Sequence, residues 1–436
     1  MTDAPLALTR RRLLIGLAAT GLMARAAPAA LAEVQRPLEL TAQIGARALR
    51  PGQPDTALAT LLASPGDGVL RFQRGDQLTV SLANSLPGPA LLSIRGGSTA
   101  AAEPLLARRP AAPGGRDIFS LPLRHAGTGL CDLRLWGDDS APMPVRAFVV
   151  AEREPVAVDR DEVLLIEDVR LDGDGHALAP GRDATAASSL LLLNGKPGFD
   201  LPVRSGQRLR LRFINGCHRS VIAFKIADHD LRVMAVDGQP AEPFVARAGQ
   251  VVLAPGSRVD AMVDALRPPG SEAAILLHDG SSARPLGRLL YGAEPALRTA
   301  PAAPLGPLPS NGLPERLDLK SALRVELPLG GPDWRRPADL TATAAPAFKL
   351  KPGRVAVLAL SNPGPQPMVF HLHGHWFRLL DRLDDGWKPF WLDTLTVGAQ
   401  QTERIAFAAE QPGRWLLEAM AAHWSAPRLL RSYAVE

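Results

Sequence analysis

The segment His371-Leu372-His373-Gly374-His375 is the densest gathering of chemistry-bearing side chains in the chain, holding three of its nine histidines. Neutral imidazole is a common ligand for copper, zinc and iron. On a strand, residues i, i+2 and i+4 share one face. The spacing therefore predicts three imidazoles projecting together toward a metal, with His423 as a further candidate ligand. The same pattern also suits buried histidines held by hydrogen bonds, and both readings stay open. Cys131 and Cys217 are the only cysteines, which excludes a cysteine-rich zinc scaffold and allows at most one disulfide. They either pair in an oxidising compartment or remain two separate buried thiols. Met143 and Met368 are too few and scattered for a methionine-rich cuprous-ion site. A glycine-rich phosphate loop and a serine nucleophile elbow are both missing, so nothing points to a hydrolase or a nucleotide enzyme.

The elements that must position these groups read as strands. The 436 residues are 46% apolar and 21% charged, an ordinary globular balance. With 41 Pro and 39 Gly, long helices are disfavoured and turn-rich β structure is expected. Period-two runs support this: Leu78, Val80 and Leu82 share a face, as do Val355, Val357 and Ala359, while Leu209, Leu211 and Phe213 oppose Arg208, Arg210 and Arg212. Turn residues such as Arg74-Gly75-Asp76, Asp237-Gly238 and Pro255-Gly256 separate the runs. Ala57–Ala63 is the best short helix candidate. Glu294–Pro314 carries six Pro and reads as a stiff extended linker. Boundaries near 152 and 296 give three units, 33–152, 153–295 and 296–436, each of a size suited to a β-sandwich with its own core. Six of the seven Trp, all but Trp136, lie between Trp334 and Trp424, as core of the last unit or as a recognition surface.

The first 32 residues read as a targeting segment. Thr9-Arg10-Arg11-Arg12-Leu13-Leu14 opens an apolar run ending at Met23, followed by Arg25 and Ala30-Leu31-Ala32. That run is too short for a bilayer, which needs roughly 20 residues. Paired Arg before a Gly-containing apolar stretch resembles a twin-arginine signal. The expectation is export by the twin-arginine translocase to the periplasm, with no transmembrane anchor. This segment carries four Arg and one Asp of a chain whose formal charge is +5. Without it the chain is close to neutral, so no nucleic-acid partner is expected.

Phe370–Phe377 (FHLHGHWF), Trp391-Leu392-Asp393-Thr394 and Pro412-Gly413-Arg414-Trp415 together resemble the last cupredoxin domain of multicopper oxidases. Asp159–Asp168 (DRDEVLLIED), Leu193-Asn194-Gly195, Arg208–Asn215 (RLRLRFIN), Ala235–Pro240 (AVDGQP) and Leu253–Asp260 (LAPGSRVD) are similar to that family's second domain. The first domain is echoed in Arg74-Gly75-Asp76, Asn84 and Gly127-Thr128. The resemblance implies an all-β chain of three consecutive cupredoxin-like Greek-key sandwiches.

It also implies where copper ligands would lie. Active members hold three coppers between first and last domains with four His-x-His pairs, and a fourth copper with two His and a Cys. By the resemblance, the first pair falls on Ser93 and Arg95 and the second on Asp132 and Arg134. The His-Cys-His segment falls on Glu418, Ala419 and Met420, and the remaining ligands of the fourth copper on Met368 and Trp424. Of the cluster ligands only His371 and His373 remain, and the family's third His here, matched by His375, is not usually a ligand. The expectation is a copper-poor member of the FtsP (SufI) type, which accompanies the bacterial cell-division machinery as a non-catalytic scaffold with periplasmic protein partners. No catalytic residues are assigned, and the expected cofactor is none or a single copper ion. The alternatives are a divergent copper-dependent oxidoreductase, laccase-like or a metal oxidase, and a protein holding one copper or zinc through His371, His373, His375 and His423. The replacements suggest a polar plug in which Arg95, Asp132, Arg134 and Glu418 pack with His371 and His373.

Overall fold

The computed structural model describes residues 35–436 except 65, 67, 97–107, 136–140, 280–281, 299, 301, 305, 342 and 382–385, and it leaves the side chains of Arg134 and Leu135 undescribed. The targeting segment 1–32 and Trp136 lie outside the described residues.

Six sheets form three consecutive cupredoxin-like sandwiches. The first pairs a sheet ordered Thr56–Ser64, Gln35–Arg47, Gln77–Asn84, Arg116–Pro122 with one ordered Leu70–Gln73, Val145–Ala151, Gly127–Leu135, Ala90–Arg95. The second is built around a six-stranded sheet with Arg208–Asn215 between Arg160–Leu171 and Arg258–Asp264. In the third, Met368–Leu372 lies between Gly413–Ala421 and Thr394–Val397. One topological device recurs in each. The opening strand runs parallel to a later one, Gln35–Arg47 beside Gln77–Asn84, Arg160–Leu171 beside Arg208–Asn215, and Leu323–Pro328 beside Val355–Asn362. A parallel neighbour needs a long crossover and not a hairpin, and here the chain makes it by passing through the opposite sheet.

A second repeat is chemical. Asn84, Asn215 and Asn362 each end the strand that receives that parallel neighbour. Each side chain donates to two or more carbonyls and accepts the N–H two residues on, at Leu86, Cys217 and Gly364. These buried asparagines satisfy backbone groups where the ladder stops, which local Asx geometry does well.

Each sandwich encloses its own apolar cluster. Leu40, Val80, Leu82 and Phe119 are among the first, Leu211, Phe213, Phe224 and Ile275 among the second, and Leu358, Phe370, Phe377 and Trp415 among the third. Trp334, Trp376, Trp391, Trp415 and Trp424 are all buried, so the tryptophan-rich stretch is mainly packing. Cys131 and Cys217 are separate buried thiols in the first and second cores.

The helix expected over Ala57–Ala63 is a strand instead. Its Ala and Leu favour helix locally, yet Thr56–Ser64 pairs antiparallel with Gln35–Arg47 over nine residues, from Glu39 opposite Ser64 to Arg47 opposite Thr56. Tertiary pairing overrides so weak a preference. The proline-rich stretch is stitched down. Asn311 exchanges hydrogen bonds with both N and O of Ala126 and donates to Gln239, and Arg74 reaches Ser310 O at 3.0 Å.

Candidate functional site

The histidine motif straddles the end of a strand. His371 lies within Met368–Leu372, opposite Thr394 on one side and Glu418 on the other. The strand stops at Leu372, and Gly374 turns the chain with φ of 83°. A Cβ at Gly374 would lie 2.3 Å from the Trp415 ring, so only glycine fits this approach. The turn breaks the period of two and corrects the expectation of three co-facial imidazoles. His371 and His373 face one another with ring centroids 4.3 Å apart. His375 points into the sandwich instead, against Phe407, Trp415 and Tyr433.

Both His375 nitrogens are committed. Tyr433 Oη donates to His373 O at 2.6 Å and so accepts from His375 Nδ1–H at 2.7 Å, while His375 Nε2 accepts the Gln411 N–H. Burial pushes the imidazole pKa down to about 3, so the ring stays neutral. His423 is exposed, bonds to Ser425, and lines another cleft with Arg170, Asp183 and His278. The four candidate ligands are therefore split: His371 and His373 meet, and His375 and His423 each stand elsewhere.

Ion pairs from the first sandwich close over the remaining two. Arg95, at the end of Ala90–Arg95, is 2% exposed. Its Nη2 lies 3.3 Å from Asp132 Oδ2 and 3.8 Å from Glu418 Oε2. The same Glu418 oxygen accepts from His373 Nε2 at 3.3 Å. His371 Nδ1 is shared between Asp393 O at 2.8 Å and Thr394 Oγ1 at 3.0 Å, which fixes its proton on Nδ1. Burial first, then the charge of Arg95, hold the His371 pKa well below the ordinary imidazole value. Ser93, opposite Asp132 in the ladder, is buried with an Oγ that has no partner among the described residues. Arg95, Asp132, Glu418, His371 and His373 thus come together. Arg134 sits in the same strand opposite Leu91, its side chain outside the described residues.

The positions matched to the fourth copper, and Met420 at the end of the His-Cys-His match, hold packing. Met368 and Ala419 belong to the core of the last sandwich, and Met420 packs on Val369 and Ala254. Trp424 is buried and donates its indole N–H to Ala179 O at 3.1 Å.

A second, larger ionic centre adjoins this one and was not foreseen as a site. Arg258 is fully buried. It forms a bidentate pair with Asp393 at 3.0 and 2.8 Å and donates to Gly256 O and Asp237 O, both at 2.8 Å. Asp237 accepts the backbone N–H groups of Arg258, Asp393 and Thr394. Burial, then the nearby Asp393 charge, raise the Asp237 carboxyl to about 7. Close by, Asp260 takes Arg210 and Arg212, both at 2.7 Å, and the Thr128 hydroxyl of the first sandwich. Burial alone would raise the Asp260 carboxyl, but Arg212 and Arg210 outweigh it and hold it low. The alternating arginines of Arg208–Asn215 are therefore a buried face tied into all this: Arg212 also grips Asp161 at 2.6 Å and Arg210 reaches Glu152 at 2.8 Å. The signal lay in the motifs AVDGQP, LAPGSRVD and WLDT, whose charged members meet here.

The donor set does not suit a copper cluster. Two imidazoles remain. One of them gives its Nε2–H to Glu418, and both carboxylates beside them are paired with the Arg95 guanidinium. The guanidinium occupies Asp132 Oδ2 and Glu418 Oε2, oxygens that a metal would otherwise use. Among the described residues, the one trio of ligating groups with ligand atoms within 4.8 Å is Asp172, Asp174 and His176, which lie together on an exposed loop.

The family description "Multicopper oxidase" matches residues 168–273 and again 318–436. The chain is 24% identical over 409 residues to the multicopper oxidase MmcO of Mycobacterium tuberculosis, covering 80% of this chain and 77% of that protein. A stretch of 115 residues is 30% identical to laccase-8 of Oryza sativa, 20% of that protein. Among solved structures it is similar to a multicopper oxidase from Pseudomonas thermotolerans, with a TM-score of 0.77 and 25% identity, covering 92% of this chain and 100% of that one.

Proposed function

This chain belongs to the multicopper oxidase superfamily, and from that premise we propose that it is a member without a working copper centre, acting as a non-catalytic periplasmic scaffold. The observation that carries the reading is Arg95. Its buried guanidinium, paired with Asp132 and Glu418, takes the place where the family resemblance puts histidine ligands. Cation binding is replaced by a cluster of one guanidinium and two carboxylates that welds first sandwich to last. Even loss of one outer partner of a ligand costs roughly 10–100-fold in metal affinity, and here most direct ligands have changed type. The Arg258 centre adds a second weld across all three sandwiches, through Thr128, Asp237 and Asp393. Rigidity across three domains suits a protein that works by presenting a surface. A fold completed before export agrees with the twin-arginine-like segment, and the likeness to the FtsP type suggests a role in cell division or envelope integrity.

The test is biological and chemical together. Deleting the gene should cause filamentation under envelope stress, and a tagged copy should gather at the septum. The copper-loaded protein should consume no oxygen with phenolic or cuprous substrates. Oxygen uptake that disappears in His371→Ala would overturn the reading. A second reading is favoured by the retained His371–His373 pair, whose rings stand 4.3 Å apart: a single copper or zinc ion bound without turnover, or a divergent oxidoreductase. It requires Glu418 to release His373 when metal enters.

A further inference from the structure

A cleft of about 470 Å³ opens between the second and third sandwiches, away from both ionic centres. Its walls are Pro180, Gly181 and Arg182 from one loop, Arg336–Asp339 from another, and Ser425, Pro427 and Arg428 from a third. Exposed Arg182 and Arg336 stand against one carboxylate, Asp339, so the open part of the cleft carries a net positive charge. Arg428 is 4% exposed and has a partner of its own, while Arg182 and Arg336 are exposed and their side chains make no hydrogen bond or ion pair among the described residues. Two exposed like charges beside one hollow repel, and an anion between them turns that repulsion into attraction.

The hollow is held open by its frame. Gly181 N–H donates to Trp424 O at 2.8 Å and the Trp424 indole to Ala179 O at 3.1 Å, fixing the first loop to the third. Arg335 and Leu430 exchange backbone hydrogen bonds at 2.9 and 2.7 Å, fixing the second to the last strand. Such preorganisation lowers the ordering cost of binding. Guanidinium presents a planar fork that matches phosphate oxygens two at a time. Pro180, Pro337, Ala338 and Pro427 add an apolar lining for an organic body, and the volume falls in the range of small-molecule sites.

We propose that this cleft binds a phosphate monoester or diester head on a small organic body, gripped by Arg182 and Arg336. The source is either a soluble phosphate ester or an anionic lipid headgroup. The experiment is calorimetric titration of the full-length mature protein, in EDTA and low salt, with glycerol 3-phosphate, alongside sedimentation with phosphatidylglycerol vesicles and with phosphatidylcholine vesicles. EDTA keeps the result independent of copper and hence of the functional reading above. At least one phosphate probe should bind. The affinity should fall about tenfold in Arg336→Gln and about a hundredfold in Arg182→Gln/Arg336→Gln, and decline with rising salt. Both side chains are exposed, so folding is preserved and checked by the unfolding curve. Binding of glycerol 3-phosphate points to a soluble ester, and arginine-dependent binding of phosphatidylglycerol vesicles alone points to a headgroup. Failure of both probes, or binding that survives the double substitution, overturns the proposal.

Discussion

Replacing Arg95 by Met is the most informative single change in the ionic plug. Its Nη2 stands 3.3 Å from Asp132 and 3.8 Å from Glu418, and all three side chains are at most 6% exposed. At an effective dielectric near 20, two such pairs amount to roughly 9 kcal/mol of Coulomb attraction. Most of that is offset by the desolvation of three charges, so the net contribution is far smaller. Removing only the cation leaves two buried carboxylates facing each other, and breaking a buried pair in this way costs about 3–5 kcal/mol. If the described unit unfolds cooperatively, that loss lowers the midpoint by roughly 5 °C. The assay is denaturant and thermal unfolding followed by tryptophan fluorescence. The triple variant Arg95→Met/Asp132→Asn/Glu418→Gln removes cation and anions together and should recover most of the stability, because a neutral replacement of a buried ion cluster is close to thermodynamically neutral. A change below about 0.5 kcal/mol in the single variant, the ordinary range of a surface substitution, would refute the buried-cluster argument. So would a triple variant no more stable than the single one.

Three further expectations follow from the same geometry. Asp237 has its carboxyl raised to about 7 in the folded chain, against about 3.9 unfolded. Its stabilising protonated form is therefore lost as pH rises between those values, and the stability of the parent relative to Asp237→Asn should fall across pH 4–7 and level off above 7, by on the order of 2–4 kcal/mol. A difference that grows with pH would contradict the assignment. His375→Ala should cost about 2–5 kcal/mol, as a buried side chain with two lost hydrogen bonds, and leave metal content unchanged; a fall in bound metal would make His375 a ligand. Burial pushes the Cys131 thiol up to about 12 and raises Cys217 as well, so a thiol reagent should label neither residue until denaturant is added, and dithiothreitol should leave the unfolding midpoint where it was.

The sandwich architecture was legible because alternation along runs such as Gln77–Asn84 directly reports a half-buried strand. Thr56–Ser64 was misread because its Ala and Leu carry a helical preference, and nothing in its own composition records its pairing with the preceding strand Gln35–Arg47. In the histidine motif the spacing was right and the conformation was not, since Gly374 ends the strand before His375. Arg208, Arg210 and Arg212 were visible as one face, but alternation does not say what covers a face. Here it is covered by acidic partners up to 58 positions away, among them Glu152, Asp161 and Asp260. The Arg258–Asp393 pair spans 135 residues, a separation no local pattern records. By contrast, the meeting of Arg95, Asp132, Glu418, His371 and His373 could be anticipated, because the family resemblance put all five around one place.

The central claim is tested most directly by the copper content of the mature protein after loading with cuprous and cupric ions and exhaustive dialysis, with the visible spectrum recorded on the same sample. The account predicts copper close to zero and no blue absorption band. One tightly held copper per chain that vanishes in His371→Ala, or a full set of coppers with an intense blue band, would contradict it.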